Sequence, residues 1–166
     1  MNIFFVGMMG SGKTSIGKKL ANSLGMQFVD MDSYIEDKER KSVSDIFRVS
    51  GESHFRLLEH KYLLEVLSFT STVVSTGGGL PCYLDNMDLI NKNARSIYLK
   101  ASPAFLKSRL VNNKKSRPLI ADLDEDELLQ YLTNMLEQRR ETYESAILHI
   151  SALDFKMEEL LKSLKK

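Results

Sequence analysis

The chain has 166 residues, 43% of them apolar and 27% charged, and its formal net charge is +1. Those values describe one globular domain with a sizeable core. They exclude the strongly basic face of a nucleic-acid binder, because the lysine pairs at Lys18-Lys19, Lys114-Lys115 and Lys165-Lys166 are too short to form one.

The start, "MNIFFVGMMG", is apolar but lacks the basic region and cleavage site of a signal peptide. No run of 18 apolar residues follows anywhere, so no membrane span is expected. Ile3 to Val6 reads as a buried strand ending at a glycine. Ile16, Leu20 and Leu24 then recur at four-residue spacing, the inner stripe of a helix that stops at Gly25. "QFVDMD" reads as a second strand with acids at its end. Ser33 to Phe69 is helical in pattern: Ser42 or Ser44 can cap a short helix, and a longer one after Gly51 aligns Phe55, Leu58, Tyr62 and Val66.

"STVVSTGGG" is a third strand meeting a glycine cluster, Ser96 to Leu99 a fourth, and "AILHIS" a fifth. Helices are expected near Leu84–Asn91, Pro103–Asn112, Glu125–Glu144 and Phe155–Leu164. The alternation predicts an α/β protein with a parallel sheet and helices on both faces. The polar stretch "NNKKSRPLIADLDED", interrupted by Pro118, is the candidate for a mobile lid. The lone Cys82 cannot form an internal disulfide, which fits a reducing, cytoplasmic compartment.

Between the first strand and first helix lies "GMMGSGKTS", which matches G-x-x-x-x-G-K-[ST] at Gly7, Gly12, Lys13 and Thr14. Strand, glycine loop and helix are the context that phosphate binding needs. The loop Gly10, Ser11, Gly12, with Ser15 just inside the helix, can turn its N–H groups towards phosphate oxygens. Lys13 can reach the β- and γ-phosphates, and the Thr14 hydroxyl can ligate Mg²⁺. This predicts an ATP or GTP site.

Further clusters lie where strand ends meet that loop. Asp30 and Asp32, two apart on an extended backbone, face one side. One could hold a Mg²⁺-bound water while the other approaches a substrate hydroxyl; alternatively they cap the next helix. Arg56 either binds a ligand or pairs with Glu52 or Glu59. Gly77, Gly78 and Gly79 cost backbone entropy and make sense where a ligand touches the main chain; a plain tight turn is the alternative. Arg117 in the lid and Arg139 on a late helix add two-pronged anion binders. Together these describe a small-molecule kinase whose acceptor is anionic and carries a hydroxyl.

The ordered set "GMMGSGKTSIGKKLA", "FVDMDSYIE", "SVSDIFRVSGESHFRLLE", "VVSTGGG", "SRPLI" and "RRETYESA" resembles the shikimate kinase family nearly end to end. The resemblance implies a three-layer P-loop fold with a five-stranded parallel sheet, a helical substrate-binding insertion at about 32–61 and a lid at about 112–124. It implies Mg²⁺- and ATP-dependent phosphorylation of the 3-hydroxyl of shikimate, on the route to chorismate and aromatic amino acids. By the same resemblance, Asp32 is the base and Asp30 holds Mg²⁺ through water. Arg56 and Arg139 clamp the substrate carboxylate, with Arg139 preferred to Arg140 because it stands four before Tyr143. Gly78 and Gly79 bind substrate through the main chain, Phe47 and Phe55 pack the pocket, and Glu59 orients Arg56. Arg117 contacts the phosphates and Arg109 stacks on adenine. The acidic "DLDED" and the loop "HISALD" depart from the family pattern. A monomer is expected, since no coiled-coil pattern is present, and a kinase of another hydroxy acid such as gluconate is the competing reading.

Overall fold

The structure is a computed structural model and describes residues 1–113 and 117–165. Five short apolar segments form the strands β1 (Ile3–Val6), β2 (Gln27–Asp30), β3 (Thr72–Ser75), β4 (Arg95–Lys100) and β5 (Leu148–Ser151). They pair in parallel in the order β2-β3-β1-β4-β5. The helices are α1 (Lys13–Leu24), α2 (Met31–Glu39), α3 (Val43–Leu67), α4 (Asn86–Asn93), α5 (Pro103–Leu110), α6 (Glu125–Glu144) and α7 (Met157–Leu164).

Side chains alternate across the pleat, so the central strands β1, β3 and β4 feed two cores. Ile3, Phe5, Val73 and Ile97 pack on Leu20 and Ala21 of α1 and Leu160 of α7. Phe4, Val6, Val74 and Tyr98 pack on the opposite layer, which includes Leu58 and Leu63 of α3, Ile90 of α4, Leu106 of α5 and Leu132 of α6. The result is the expected three-layer α/β fold. Among the described residues no helix is long and apolar enough to cross a membrane.

Three boundaries carry information about the site. The second strand stops at Asp30 and does not run on to Asp32. Its carboxylate accepts from the backbone N–H of Asp32 and Ser33, at 3.2 and 3.4 Å, and this cap starts α2 at once. Within α3, which Ser42 caps, Gly51 has φ 81° and ψ 169°, a conformation suited to glycine alone. It divides the element, so the part bearing Phe55, Arg56 and Glu59 takes its own direction. The acidic run at 122–126 marks a helix start: Asp124 accepts from the N–H groups of Asp126 and Glu127, and Glu127 reaches back to Asp124 N–H. Only the part before Asp124 is left for a lid, and Lys114, Lys115 and Ser116 of that stretch lie outside the described residues.

Candidate active site

Strand register brings the loops together. Ser75 at the end of β3 stands beside Asp30 of β2 on one side and Phe5 of β1 on the other. The phosphate loop leaves β1 and the triple glycine leaves β3, so both open over the same end of the sheet.

Gly12 has φ 102°, and no side chain caps α1. The first N–H groups of that helix are therefore left facing the loop, where its dipole favours an anion. Lys13 is buried, and its Nζ donates to the carbonyls of Gly7 and Met8, each at 2.8 Å. Burial pulls its ammonium down to about 8, with Asp32 opposing. Ser11 Oγ is buried without a hydrogen-bond partner among the described residues. Thr14 O–H donates to Asp30 Oδ2 at 2.7 Å, and its oxygen lies 3.2 Å from Ser75 Oγ. These three oxygen donors form a corner that suits a hard cation keeping several waters. Asp30 caps α2 with one oxygen and accepts from the Thr14 hydroxyl with the other.

The phosphate-loop cavity, about 290 Å³, is walled by Gly10, Gly12, Lys13, Thr14, Ser15, Asp30 and Ser75, with Arg109 and Arg117 also in its lining. The Arg109 guanidinium lies over the Phe105 ring, 5.6 Å from its centre.

A second cavity of about 280 Å³ adjoins it, floored by Gly77, Gly78 and Gly79. Phe47 and Phe55, ring centres 4.9 Å apart, form an apolar wall with Met9 and Val43. Arg56, Arg139 and Arg117 supply positive charge, and Asp32 and Glu59 negative charge. Arg56 is ion-paired with both Glu52, at 3.0 Å, and the fully buried Glu59. Burial pushes the Glu59 carboxyl up to about 7, with the Arg56 guanidinium pulling the other way. Burial and then the Asp30 carboxylate raise Asp32 above the usual carboxylate range.

The glycines have a steric reason that sequence reasoning did not supply. A Cβ on Gly77 would stand 2.7 Å from Glu59 Oε1 and 3.1 Å from Asp32 Oδ1. One on Gly78 would meet Arg139 Nη1 at 3.2 Å, and one on Gly79 would overlap the Arg56 guanidinium. The four charged side chains, Asp32, Glu59, Arg139 and Arg56, lie directly on the main chain, whatever else binds there.

The candidate binding and catalytic residues line one cavity or the other, except Ser11 and the motif glycine Gly7, both buried in the phosphate loop. Arg139 and Arg140 separate clearly: Arg139 reaches the second cavity, whereas Arg140 is exposed and pairs with Glu137. Ser75, Glu36 and Leu119 were not anticipated. For Ser75 a signal existed, since it ends the strand that carries the glycines.

The two cavities share Asp32, Gly77, Gly78 and Arg117. A phosphate-binding loop joined through a carboxylate and an arginine to a pocket for a small anion defines a P-loop kinase of small molecules. The shikimate kinase family model matches residues 9–166, and the chain belongs to that family. A shikimate kinase of Azobacteroides pseudotrichonymphae is 39% identical over 98% of this chain and 96% of its own length. The crystal structure of shikimate kinase from Bacteroides thetaiotaomicron superposes with a TM-score of 0.93 at 36% identity, covering 100% of this chain and 99% of that one. Shikimate kinase from Acinetobacter baumannii, solved in complex with shikimate, gives 0.89 at 30% identity over 99% and 92% of the two chains.

Proposed function

We propose that this chain transfers the terminal phosphoryl group of ATP to the 3-hydroxyl of shikimate at the join of the two cavities. The observation that carries the reading is the shared wall, where Asp32 and Arg117 face both the phosphate loop and the arginine-lined pocket. In this reading Arg56 and Arg139 hold the substrate carboxylate with paired hydrogen bonds. Phe47 and Phe55 take the apolar face of the ring, and the main chain of Gly78 and Gly79 takes the remaining polar groups.

Held so, the hydroxyl oxygen attacks the γ-phosphorus while its bond to the bridging oxygen breaks and ADP leaves. Asp32 accepts the hydroxyl proton, and its raised affinity for a proton suits that role. Lys13 and Arg117 offset charge on the transferring group. The Nε of Arg117 is buried with no partner among the described residues, a donor available to a phosphate. Thr14 directly, and Asp30 through water, would hold Mg²⁺, which would supply positive charge to offset that of the phosphates when bound. Arg109, in the lining of the phosphate-loop cavity, stacks on adenine in this reading.

The segment at about 32–61 serves as the substrate-binding insertion and the segment at about 112–124 as the lid, which excludes water on closure. The reading includes a monomer acting in the cytoplasm. It is tested by ADP release from ATP and Mg²⁺ with shikimate, gluconate, AMP or no acceptor. Release with shikimate alone is expected. Release with gluconate or AMP instead would overturn the assignment of the second cavity.

A further inference from the structure

The triple-glycine floor is held by side chains that line neither cavity. Tyr143, fully buried on α6 one turn beyond Arg139, donates its hydroxyl to Gly78 O at 2.6 Å. From the other side Asn86 Nδ2 donates to Leu80 O at 2.7 Å. The turn between is closed on itself, since Leu80 N–H donates to Gly77 O and Cys82 N–H to Gly79 O.

Asn86 is itself fully buried, and its Oδ1 lies 2.6 Å from His60 Nδ1. The carbonyl of Leu80 can only accept, so the Asn86 amide must spend its NH₂ there and turn its oxygen to His60. His60 Nδ1 therefore carries the proton and donates. His60 sits one residue after Glu59 and one helical turn after Arg56, on the same helix. A chain of hydrogen bonds thus runs from the helix that presents Arg56 to the glycines on which the Arg56 guanidinium rests.

We propose that His60 and Asn86 are positioning residues for the substrate pocket. Their hydrogen bonds set the height of the Gly79 main chain beneath Arg56, and so the placement of the guanidinium that receives the substrate anion. Without the His60 donor, Asn86 Oδ1 is a buried acceptor with nothing to hold it, and the amide is free to turn away from Leu80. The floor then loses one of its two side-chain anchors, and Arg56 loses its seat while keeping its partners Glu52 and Glu59. The phosphate loop hangs from β1, and the glycine that packs against it, Gly78, keeps its own anchor on Tyr143.

The inference rests on shikimate as the ligand of the second cavity, and calorimetry separates the two questions. Shikimate and MgADP are titrated separately into the full chain as wild type, His60→Leu and His60→Asn. His60→Asn keeps a donor near the position of Nδ1. His60→Leu is expected to weaken shikimate about tenfold, through a buried acceptor left unpaired, with MgADP unchanged. His60→Asn is expected to recover most of the loss. Equal weakening of both ligands, no weakening of either, or failure of His60→Asn to recover would overturn the inference and leave the pair a purely structural one. Should His60→Leu not fold, His60→Ala replaces it under the same criteria. A wild-type protein that binds MgADP but no shikimate would sink the pocket assignment, and the inference with it.

Discussion

The Arg56 guanidinium rests on Gly79: a Cβ built on that residue would overlap Cζ and both terminal nitrogens. Gly79 itself has φ −85° and ψ −20°, so its backbone would accept any residue and the demand for glycine is wholly steric. Gly79→Ala should therefore fold and bind ATP normally. It should lower kcat/KM for shikimate by about 10²-fold, the scale of an ångström-sized misplacement. Steady-state kinetics with each substrate varied would check this. A normal shikimate KM would mean that Arg56 does not set the pocket.

Asp32 lies where the two cavities meet. Asp32→Asn keeps its shape and removes its ability to take a proton. The expected result is ATP binding close to wild type with turnover reduced about 10²–10⁴-fold, the usual share of a positioned base. Calorimetry and initial rates on one preparation would decide it, and near-normal turnover would remove Asp32 from the chemistry.

Arg139 enters the second cavity from α6, with Gly78 beneath it. Arg139→Lys keeps the charge and loses the fork. Shikimate binding should weaken about tenfold, as expected for charged hydrogen bonds lost, while ATP binding changes little. Equal weakening of both ligands would count against a carboxylate clamp.

Lys13 gives a pH test with a definite sign. Burial lowers its pKa to about 8, so the ammonium is the form present below that pH and is lost above it. If only the charged form holds phosphate, ATP affinity falls about fivefold from pH 8 to pH 9. Stability moves the other way. The unfolded chain binds the extra proton between about 8 and the ordinary lysine value, so this group's contribution to stability rises with pH across that window. Affinity at pH 7, 8 and 9, measured beside thermal melts, separates the two effects. ATP affinity that is flat over the range would show that the Lys13 charge does not titrate there.

Local signals made the nucleotide half of the molecule legible. The run Ile3–Val6, the loop glycines and the stripe of α1 are adjacent in the chain, so one reading frame holds the whole motif. The strand end at Asp30 was not legible, because extended and capping geometries use the same acids and only the hydrogen bonds to Asp32 and Ser33 decide between them. Ser75 was missed because its importance comes from register with Asp30, a relationship 45 residues apart that no local pattern encodes. The stretch "DLDED" reads as polar lid up to Asp124, but the Asp124 side chain is the cap of α6 and the acids after it form the first turn of that helix. The choice of Arg139 over Arg140 came from family spacing alone, since both read as equally placed on a helix.

The pairing of β1 with β3 has a further consequence. Phe5 lies opposite Ser75, so the register carries the first glycine of one loop to the level of the first glycine of the other. A Cβ on Gly78 would lie 3.6 Å from Gly7 O. Adjacent strands keep a spacing of about 4.8 Å whatever their sequence. The close main-chain contact between the phosphate loop and the glycine floor is thus inherited from backbone hydrogen bonding, like a ruler built into the sheet.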